Sequence, residues 1–249
     1  MKRLLRQIIP PPLRRALGHW AAMRRSRRLG RLAVADAFDE IYRKAYWRQG
    51  DSLSGVGSEG SWADDYCAIV ADLVSSLGLT TAVDAGCGDF SIGVKLAQQF
   101  EHYTALDISA FVIEQNRGAH GHLQNVTFAV QDLIDAPIPM ADLVMVRQVF
   151  QHLTNTQILA ILDNIARSGA RFALIAEEVP AGPFEPNQDL TSHSVKTRLN
   201  VESGIDITAA PFNRSASLLA RLRRRPVGRS DEPVLSLHLM KLQPGGACA

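Results

Sequence analysis

Two carboxylates and two glycines are spaced as a binding site for a nucleotide-like ligand would need them. Asp84 ends an apolar run and is followed by Gly86 and Gly88, and Asp107 ends the next apolar run. Glycines at this spacing permit a tight turn between a strand and a helix, and they let the backbone approach a ligand closely. A carboxylate at the end of the adjacent strand can accept hydrogen bonds from both hydroxyls of a ribose. The pattern predicts a site at the carboxyl ends of neighbouring parallel strands.

The glycine spacing differs from that of dinucleotide-binding proteins. Their fingerprint, G-x-G-x-x-G, needs a glycine at position 91, where this chain has Ser91. The acid-x-Gly-x-Gly order from Asp84 to Gly88 instead resembles class I S-adenosylmethionine (SAM)-dependent methyltransferases. That family often has a third glycine where this chain has Phe90. This departure makes the floor of the expected pocket bulkier.

Further motifs are similar to those of one bacterial group within this family. The group has a Tyr-Trp pair, a Gly-Ser-x-Gly lead-in and an Arg-Gln-Val-x-Gln-His-Leu strand exit, found here at residues 46–47, 57–60 and 147–153. The likeness extends to a later segment that includes Asn187-Gln188-Asp189 and Arg198. It covers roughly residues 40 to 240 and does not identify the acceptor of the methyl group.

Alternating strand and helix patterns predict an α/β fold. Strands are expected near 81–84, 103–107, 125–130, 141–147 and 171–177, and helices near 91–100, 109–118 and 155–168. The resemblance implies a Rossmann-like, doubly wound sheet of about seven strands. That sheet is mostly parallel and has an antiparallel C-terminal hairpin near 214–222 and 234–242. By pattern alone, residues 214–222 also fit a helix.

The resemblance implies SAM as the cofactor and assigns a set of residues to it. Asp107 is the expected ribose acid, Asp132 the expected partner of the adenine amino group, and Arg147 a partner of the SAM carboxylate or of an acidic acceptor. Ile108 would pack on adenine, and Phe90 would contact the methionine part. The full set is Asp84, Gly86, Cys87, Gly88, Phe90, Asp107, Ile108, Asp132, Leu133 and Arg147.

The acceptor side is defined less sharply. His152 is the candidate general base, because a neutral imidazole can take a hydroxyl proton near pH 7; the alternative is a structural histidine that caps the next helix. Trp47 is either part of a lid or a core anchor. Residues 178–213 form a long polar insertion that either covers the acceptor or is a surface excursion. The predicted acceptor-binding residues are Trp47, Gln148, Asn187, Asp189 and Arg198.

Composition limits the class of protein. The 249 residues suit one main domain, and 46% hydrophobic residues suffice for a core. The three cysteines are too far apart for a disulfide framework or a zinc pattern, which favours a reducing compartment. No metal site is expected, because His120 and His122 form only an isolated i, i+2 pair. No apolar run approaches the roughly 18 residues of a membrane span.

Charge divides the chain into an arm and a body. Residues 1–35 hold ten basic residues and no acid, which leaves 17 basic and 25 acidic residues for the remainder. We expect residues 1–32 to be a basic amphipathic arm with apolar faces at 4–9 and at Leu13, Leu17 and Trp20. Such an arm can lie on an anionic membrane, dock on a partner, or be a solvated tail. Residues 33–245 are expected to form the methyltransferase domain, with a lead-in helix and loop at 33–62.

These observations predict a SAM-dependent methyltransferase (EC 2.1.1.-) that acts on an oxygen or nitrogen nucleophile of a small molecule. A glycan or lipid-linked precursor is one acceptor hypothesis, and the expected location is cytoplasmic or peripheral at the inner membrane surface. The alternatives are a nucleic-acid methyltransferase and a non-catalytic scaffold. A nucleic-acid partner is not expected, because the body is acidic and the chain lacks an Asn/Asp-Pro-Pro-aromatic motif.

Overall fold

The structure is a computed structural model that describes residues 11–48, 50–193, 195–225 and 231–242. Its helices are α1 (Pro11–Leu29), α2 (Val34–Arg43), α3 (Ser61–Leu77), α4 (Gly93–Leu96), α5 (Ala110–His120) and α6 (Asn155–Arg167). Its strands are β1 (Thr81–Ala85), β2 (His102–Asp107), β3 (Val126–Val130), β4 (Leu143–Arg147), β5 (Phe172–Val179), β6 (Ser217–Leu222) and β7 (Val234–Lys241). Short 3₁₀ turns cover Val56–Ser58, Ala97–Gln99, Phe150–His152 and Arg198–Val201.

The strands form one seven-stranded sheet in the order β3-β2-β1-β4-β5-β7-β6. Strands β1 to β5 are parallel, whereas β7 runs antiparallel to both β5 and β6. The predicted Rossmann-like sheet with an antiparallel C-terminal hairpin is therefore confirmed. The chain moves outward from β1 to β3 and then returns to place β4 on the other side of β1. This reversal leaves a crevice at the carboxyl ends of β1 and β4.

Apolar side chains cover both faces of the sheet, as a parallel sheet between helices requires. Along β1, Ala82 packs into the core that contains Trp62 and Tyr66 from α3, and Val83 packs into the core that contains Ile41 from α2. The central strand β4 is buried on both faces from Leu143 to Val146. Because the sheet interior is fixed in this way, the strand ends hold their polar side chains in defined places.

Helix α2 connects the lead-in segment to the sheet. Its Asp39 Oδ1 accepts hydrogen bonds from the Ser109 hydroxyl at 2.6 Å and from the Phe111 N–H at 3.0 Å. Ser109 is also the N-cap of α5, where it accepts from the Val112 N–H. One carboxylate thus ties α2 to the start of the helix that follows β2.

The C-terminal end of α1 packs on the domain. Leu29 is completely buried, Arg28 forms a bidentate ion pair with Glu40, and the Arg25 guanidinium lies 4.3 Å from the centre of the Tyr46 ring. Farther back along the helix, Leu17 and Trp20 are 48% and 56% exposed. The apolar face expected at residues 4–9 lies outside the described residues. Within the described part of the chain, no helix is long and apolar enough to cross a membrane.

Two regions differ from their sequence patterns. Residues 217–222 form β6 and not a helix, because the free edge of β7 supplies backbone hydrogen bonds that outweigh local periodicity. The helix expected at 91–100 is reduced to the single turn α4 and a 3₁₀ turn. Here the residues after the glycine turn pack inward, and Phe90, Leu96 and Phe100 are all buried.

Candidate functional site

A cleft of about 340 Å³ lies at the carboxyl ends of the central strands. It is lined by the lead-in segment, by the turn after β1, by the ends of β2 and β4, and by part of the insertion. Twelve of the predicted site residues lie on its walls: Trp47, Asp84, Gly86, Cys87, Gly88, Asp107, Ile108, Asp132, Leu133, Arg147, Gln148 and His152. The structure therefore places residues of the predicted cofactor site and of the predicted acceptor site in one cleft. The roles of these residues remain predictions.

The turn after β1 needs glycine at two positions. Gly86 has φ +89° and Gly88 has φ +55°, a backbone region that other residues rarely adopt. A Cβ atom on Gly86 would collide with the Val149 side chain, and one on Gly88 would collide with the Ser54 hydroxyl. The exit of β4 and the lead-in loop thus pack directly against this turn.

Asp107 is held rigidly at the end of β2. Its Oδ2 accepts from the Gly88 N–H at 3.0 Å, and its Oδ1 accepts from the Ser109 N–H at 2.9 Å. The residue is 5% exposed, and burial raises the pKa of its carboxyl to about 6 although both N–H groups favour the ionised form. Each oxygen retains a lone pair for a further donor.

Asp84 and Arg147 form a second polar region in the cleft. Asp84 accepts from the Tyr103 hydroxyl at 2.9 Å, and burial raises the pKa of Asp84 to about 6. Arg147 donates to the Gly57 carbonyl and lies 5.2 Å from the centre of the Tyr66 ring. Burial lowers the pKa of Arg147, and its Nε has no hydrogen-bond partner among the described residues. The region offers both an anion and a cation with unused hydrogen-bonding capacity.

Asp89 fastens the lead-in loop to the glycine turn. Its Oδ2 accepts from the Ser52 hydroxyl at 2.7 Å and from the N–H groups of Leu53 at 2.6 Å and Ser54 at 3.2 Å. The Ser54 hydroxyl in turn accepts from the Asp89 N–H at 2.9 Å. Burial opposes ionisation, but the hydrogen bonds from Ser52 and Ser91 prevail and lower the pKa of Asp89. Sequence reasoning missed this residue, since its partners in the lead-in loop lie 35 to 37 positions away.

Trp47 and His152 stack on the opposite wall. Their ring centres are 4.6 Å apart, and the Trp47 Nε1–H donates to the Val195 carbonyl at 3.4 Å. His152 Nδ1 lies 3.2 Å from the Lys196 carbonyl, which can only accept, so we assign the proton to Nδ1 and the lone pair to Nε2. His152 therefore presents the tautomer whose Nε2 can take a proton.

The β4 exit is shaped by two glutamates that sequence reasoning did not single out. Glu177 accepts from the N–H groups of Val149, Phe150 and Gln151 at 2.8 to 3.1 Å, and burial raises its pKa to about 8. Glu178 lines the cleft and accepts from Gln148 Nε2 at 2.6 Å. Both residues come from the buried strand β5, a place where sequence alone favours apolar packing.

Four predicted site residues do not line the cleft. Phe90 is fully buried and packs against Phe128, with 4.8 Å between ring centres. Asn187 Nδ2 donates to the Asp206 carbonyl at 2.8 Å, as a bridge within the insertion. Asp189 accepts from the Asn155 N–H at 2.8 Å, and Arg198 donates to the Leu153 carbonyl at 2.8 Å. These polar groups tie the insertion to the start of α6, and its Val195 and Thr197 reach the cleft instead.

Comparison with known proteins agrees with this geometry. Residues 83–170 match the family model of a methyltransferase domain. The N-methyltransferase NodS from Bradyrhizobium japonicum WM9, in complex with S-adenosyl-L-homocysteine (SAH), is 15% identical with a TM-score of 0.59, over 81% of this chain and 98% of that one. Magnesium protoporphyrin IX methyltransferase from Synechocystis PCC 6803, with bound SAH, is 18% identical with a TM-score of 0.54, over 84% and 98%. No curated protein sequence matches the chain.

At these identities the likeness to solved structures is one of fold. Together with the matched segment, it shows a class I methyltransferase fold, in which residues 83–170 match the model of a methyltransferase domain. The predicted class I methyltransferase fold is thereby confirmed, and the match over residues 83–170 agrees with the predicted enzyme class, methyltransferase. Among the described residues, no group of three or more His, Cys, Asp or Glu side chains is placed to hold a metal ion.

Proposed function

We propose that this chain binds SAM in the cleft and methylates an oxygen or nitrogen nucleophile of a small molecule. The observation that carries the proposal is the Asp107 carboxylate, fixed at the end of β2 opposite the glycine turn with lone pairs to spare. Such a carboxylate suits the two hydroxyls of a ribose. The similar structures contain bound SAM or SAH, which supports the same ligand for this chain.

The residues on either side of Asp107 suit the two ends of SAM. Ile108, Asp132 and Leu133 offer apolar surface and a carboxylate for adenine. On the other side, Asp84 suits an ammonium group, and the unused Arg147 Nε suits a carboxylate. SAM supplies a methyl group already activated by its sulfonium. The protein is left to orient the two reactants, exclude water and accept a proton.

His152 is the proposed proton acceptor. It lines the cleft, and the Lys196 carbonyl fixes its tautomer so that Nε2 carries the lone pair. A base at this position serves a hydroxyl or amine acceptor, which must lose a proton when it is methylated. In keeping with a positioned base, the His152 ring is held by its stack on Trp47 and by the edge of Phe38.

Titration calorimetry tests the cofactor. We expect SAM and SAH to bind with micromolar affinity and Asp107→Ala to weaken both by at least about tenfold, the loss of roughly one hydrogen bond to a charged group. Asp135→Ala, an exposed carboxylate in the loop that holds Asp132, should bind as the wild type does. A folded wild-type protein that binds neither ligand would favour the scaffold alternative.

We also propose that α1 brings the enzyme to an anionic membrane surface, where a glycan or lipid-linked precursor would be the acceptor. Exposed Leu17 and Trp20 lie on a helix rich in arginine, with the Arg24 guanidinium 4.6 Å from the Trp20 ring centre. The wild-type protein should bind phosphatidylglycerol vesicles and not phosphatidylcholine vesicles. Trp20→Ala should weaken the binding to phosphatidylglycerol vesicles. Equal binding to both vesicles would remove this support, and steep salt-dependent binding to RNA or DNA would favour the nucleic-acid alternative.

A further inference from the structure

One end of the cleft is a wall of apolar and aromatic side chains. Val34, Phe38, Trp47 and Val195 line it, and the ring centres of Phe38 and Trp47 are 5.8 Å apart. His152 stands beside this wall with its ring on Trp47. The wall therefore offers contact to an apolar ring or chain next to the basic Nε2 of His152.

Gln151 adds a hydrogen-bond acceptor at the same place. Its Nε2 lies 3.3 Å from the Gln148 carbonyl and 3.4 Å from His152 Nε2, two atoms that accept, so the amide orientation is fixed with the nitrogen toward them. Gln151 lines the cleft and is only 6% exposed. Its Oε1 is buried and has no hydrogen-bond partner among the described residues. Buried carbonyl oxygens are rarely left without a donor, because the loss of hydration is not repaid.

The charge of the cleft narrows the choice of acceptor. Among the residues that the structure describes, four carboxyl groups line it, those of Asp84, Asp107, Asp132 and Glu178, against one guanidinium, that of Arg147. An anionic acceptor would be repelled by these carboxylates and would meet no cationic side chain at the apolar wall within the described parts of the chain. A neutral molecule avoids both costs.

We infer that Gln151 binds the methyl acceptor, which is a neutral molecule with an apolar body on this wall and a hydroxyl or amine that donates to Gln151 Oε1. This inference rests on the proposed function and specifies its substrate class. Gln151 Nε2 also donates to His152 Nε2, and this hydrogen bond must open when His152 takes the proton of the group to be methylated. Gln151 directly precedes His152 in the sequence, but its role is indicated only by the buried Oε1 that has no partner among the described residues.

The test uses four compounds with the same ring system and different substituents. SAH-loaded protein is titrated with 2-naphthol, 2-naphthylamine, 2-methoxynaphthalene and 2-naphthoate. We expect the first two to bind at least about tenfold more tightly than the methoxy compound, which lacks a donor, and than the anionic naphthoate. Equal binding of naphthol and methoxynaphthalene, or no binding by any of the four, would overturn the inference.

Substitutions at position 151 assign the effect to the amide. Gln151→Leu should abolish the preference for naphthol over methoxynaphthalene, whereas Gln151→Glu, which retains an acceptor oxygen, should preserve it. Gln124→Leu, at an exposed position, should behave as the wild type does. A preference that survives Gln151→Leu would contradict the inference. SAH binding is measured on each variant first, so that failure of the cofactor site is distinguished from failure of the acceptor site.

Discussion

The surroundings of Asp107 determine both the orientation and the pKa of its carboxyl group. Two backbone N–H groups fix both of its oxygens, while burial raises the pKa of the group to about 6. The sequence predicts the position of this residue correctly, because an acid at the end of the second strand follows from spacing alone. It does not predict Phe90 or Asn187 in the same way. The direction in which a side chain points depends on tertiary packing, and these two point into the core and across the insertion.

The pKa of Asp107 leads to a pH dependence of cofactor affinity. Because the raised value lies near 6, the carboxyl is protonated below that pH and must lose a proton before it accepts from both ribose hydroxyls. SAH affinity should therefore rise from pH 5 to pH 7 and level off above, and the ionisation of Asp107 contributes up to about tenfold per pH unit on the rising limb. Calorimetry across this range checks the prediction.

Asp84, whose pKa is also about 6, titrates over the same range. Asp107→Asn should therefore retain only the shallower dependence that Asp84 contributes. An affinity that stays constant from pH 5 to pH 8 in the wild type would show that Asp107 does not bind the ribose.

Among the structural elements, the lead-in loop and the β4 exit supply the walls of the cleft at the strand ends. Alternation in the sequence predicts the sheet and the helices that follow β2 and β4 correctly. The loop is predicted only as a loop, since its structure depends on Asp89 and on the Arg147 contact to Gly57, both remote in sequence. The same reason explains residues 217–222, which pair as an edge strand although their pattern also fits a helix.

The anchoring of the loop by Asp89 makes a kinetic prediction. Asp89→Asn removes the charge that holds Ser52, Leu53 and Ser54, so the loop should open more often and SAH should dissociate about tenfold faster. Stopped-flow displacement measures the rate. Asp51→Asn, an exposed acid in the same loop, is the matched control and should leave the rate unchanged. A normal rate in Asp89→Asn would mean that the loop does not retain the ligand.

At the scale of the whole molecule, the described part of the basic arm, α1, packs on the acidic body. Arg28 pairs with Glu40, and Leu29 is buried in the core that also contains Phe38 and Ile41 from α2. Charge asymmetry in the sequence indicates an arm, but it gives no sign of this docking, because the contacts join residues on two helices. The last turn of α1 thus supports α2, whose Phe38 and Tyr42 line the cleft.

The docking of α1 makes a prediction about stability. Leu29→Ala should lower the free energy of unfolding by about 2–4 kcal/mol, the usual cost of a cavity at a fully buried leucine. Leu17→Ala, the same change at a position 48% exposed, should cost less than about 0.5 kcal/mol. Urea denaturation of both variants provides the comparison. Equal, small effects would show that α1 is not part of the folded core.

The stack of Trp47 on His152 gives the molecule an optical reporter of its own. Of the three tryptophans, Trp20 is solvent-exposed and Trp62 is buried beneath the Arg224 guanidinium, whereas Trp47 lines the cleft. Indole emission responds to the polarity around the ring and to charge on a neighbouring imidazole. Binding of a ligand in the cleft, or protonation of His152, should therefore alter the fluorescence of Trp47. Ligand binding can then be followed in real time without a label.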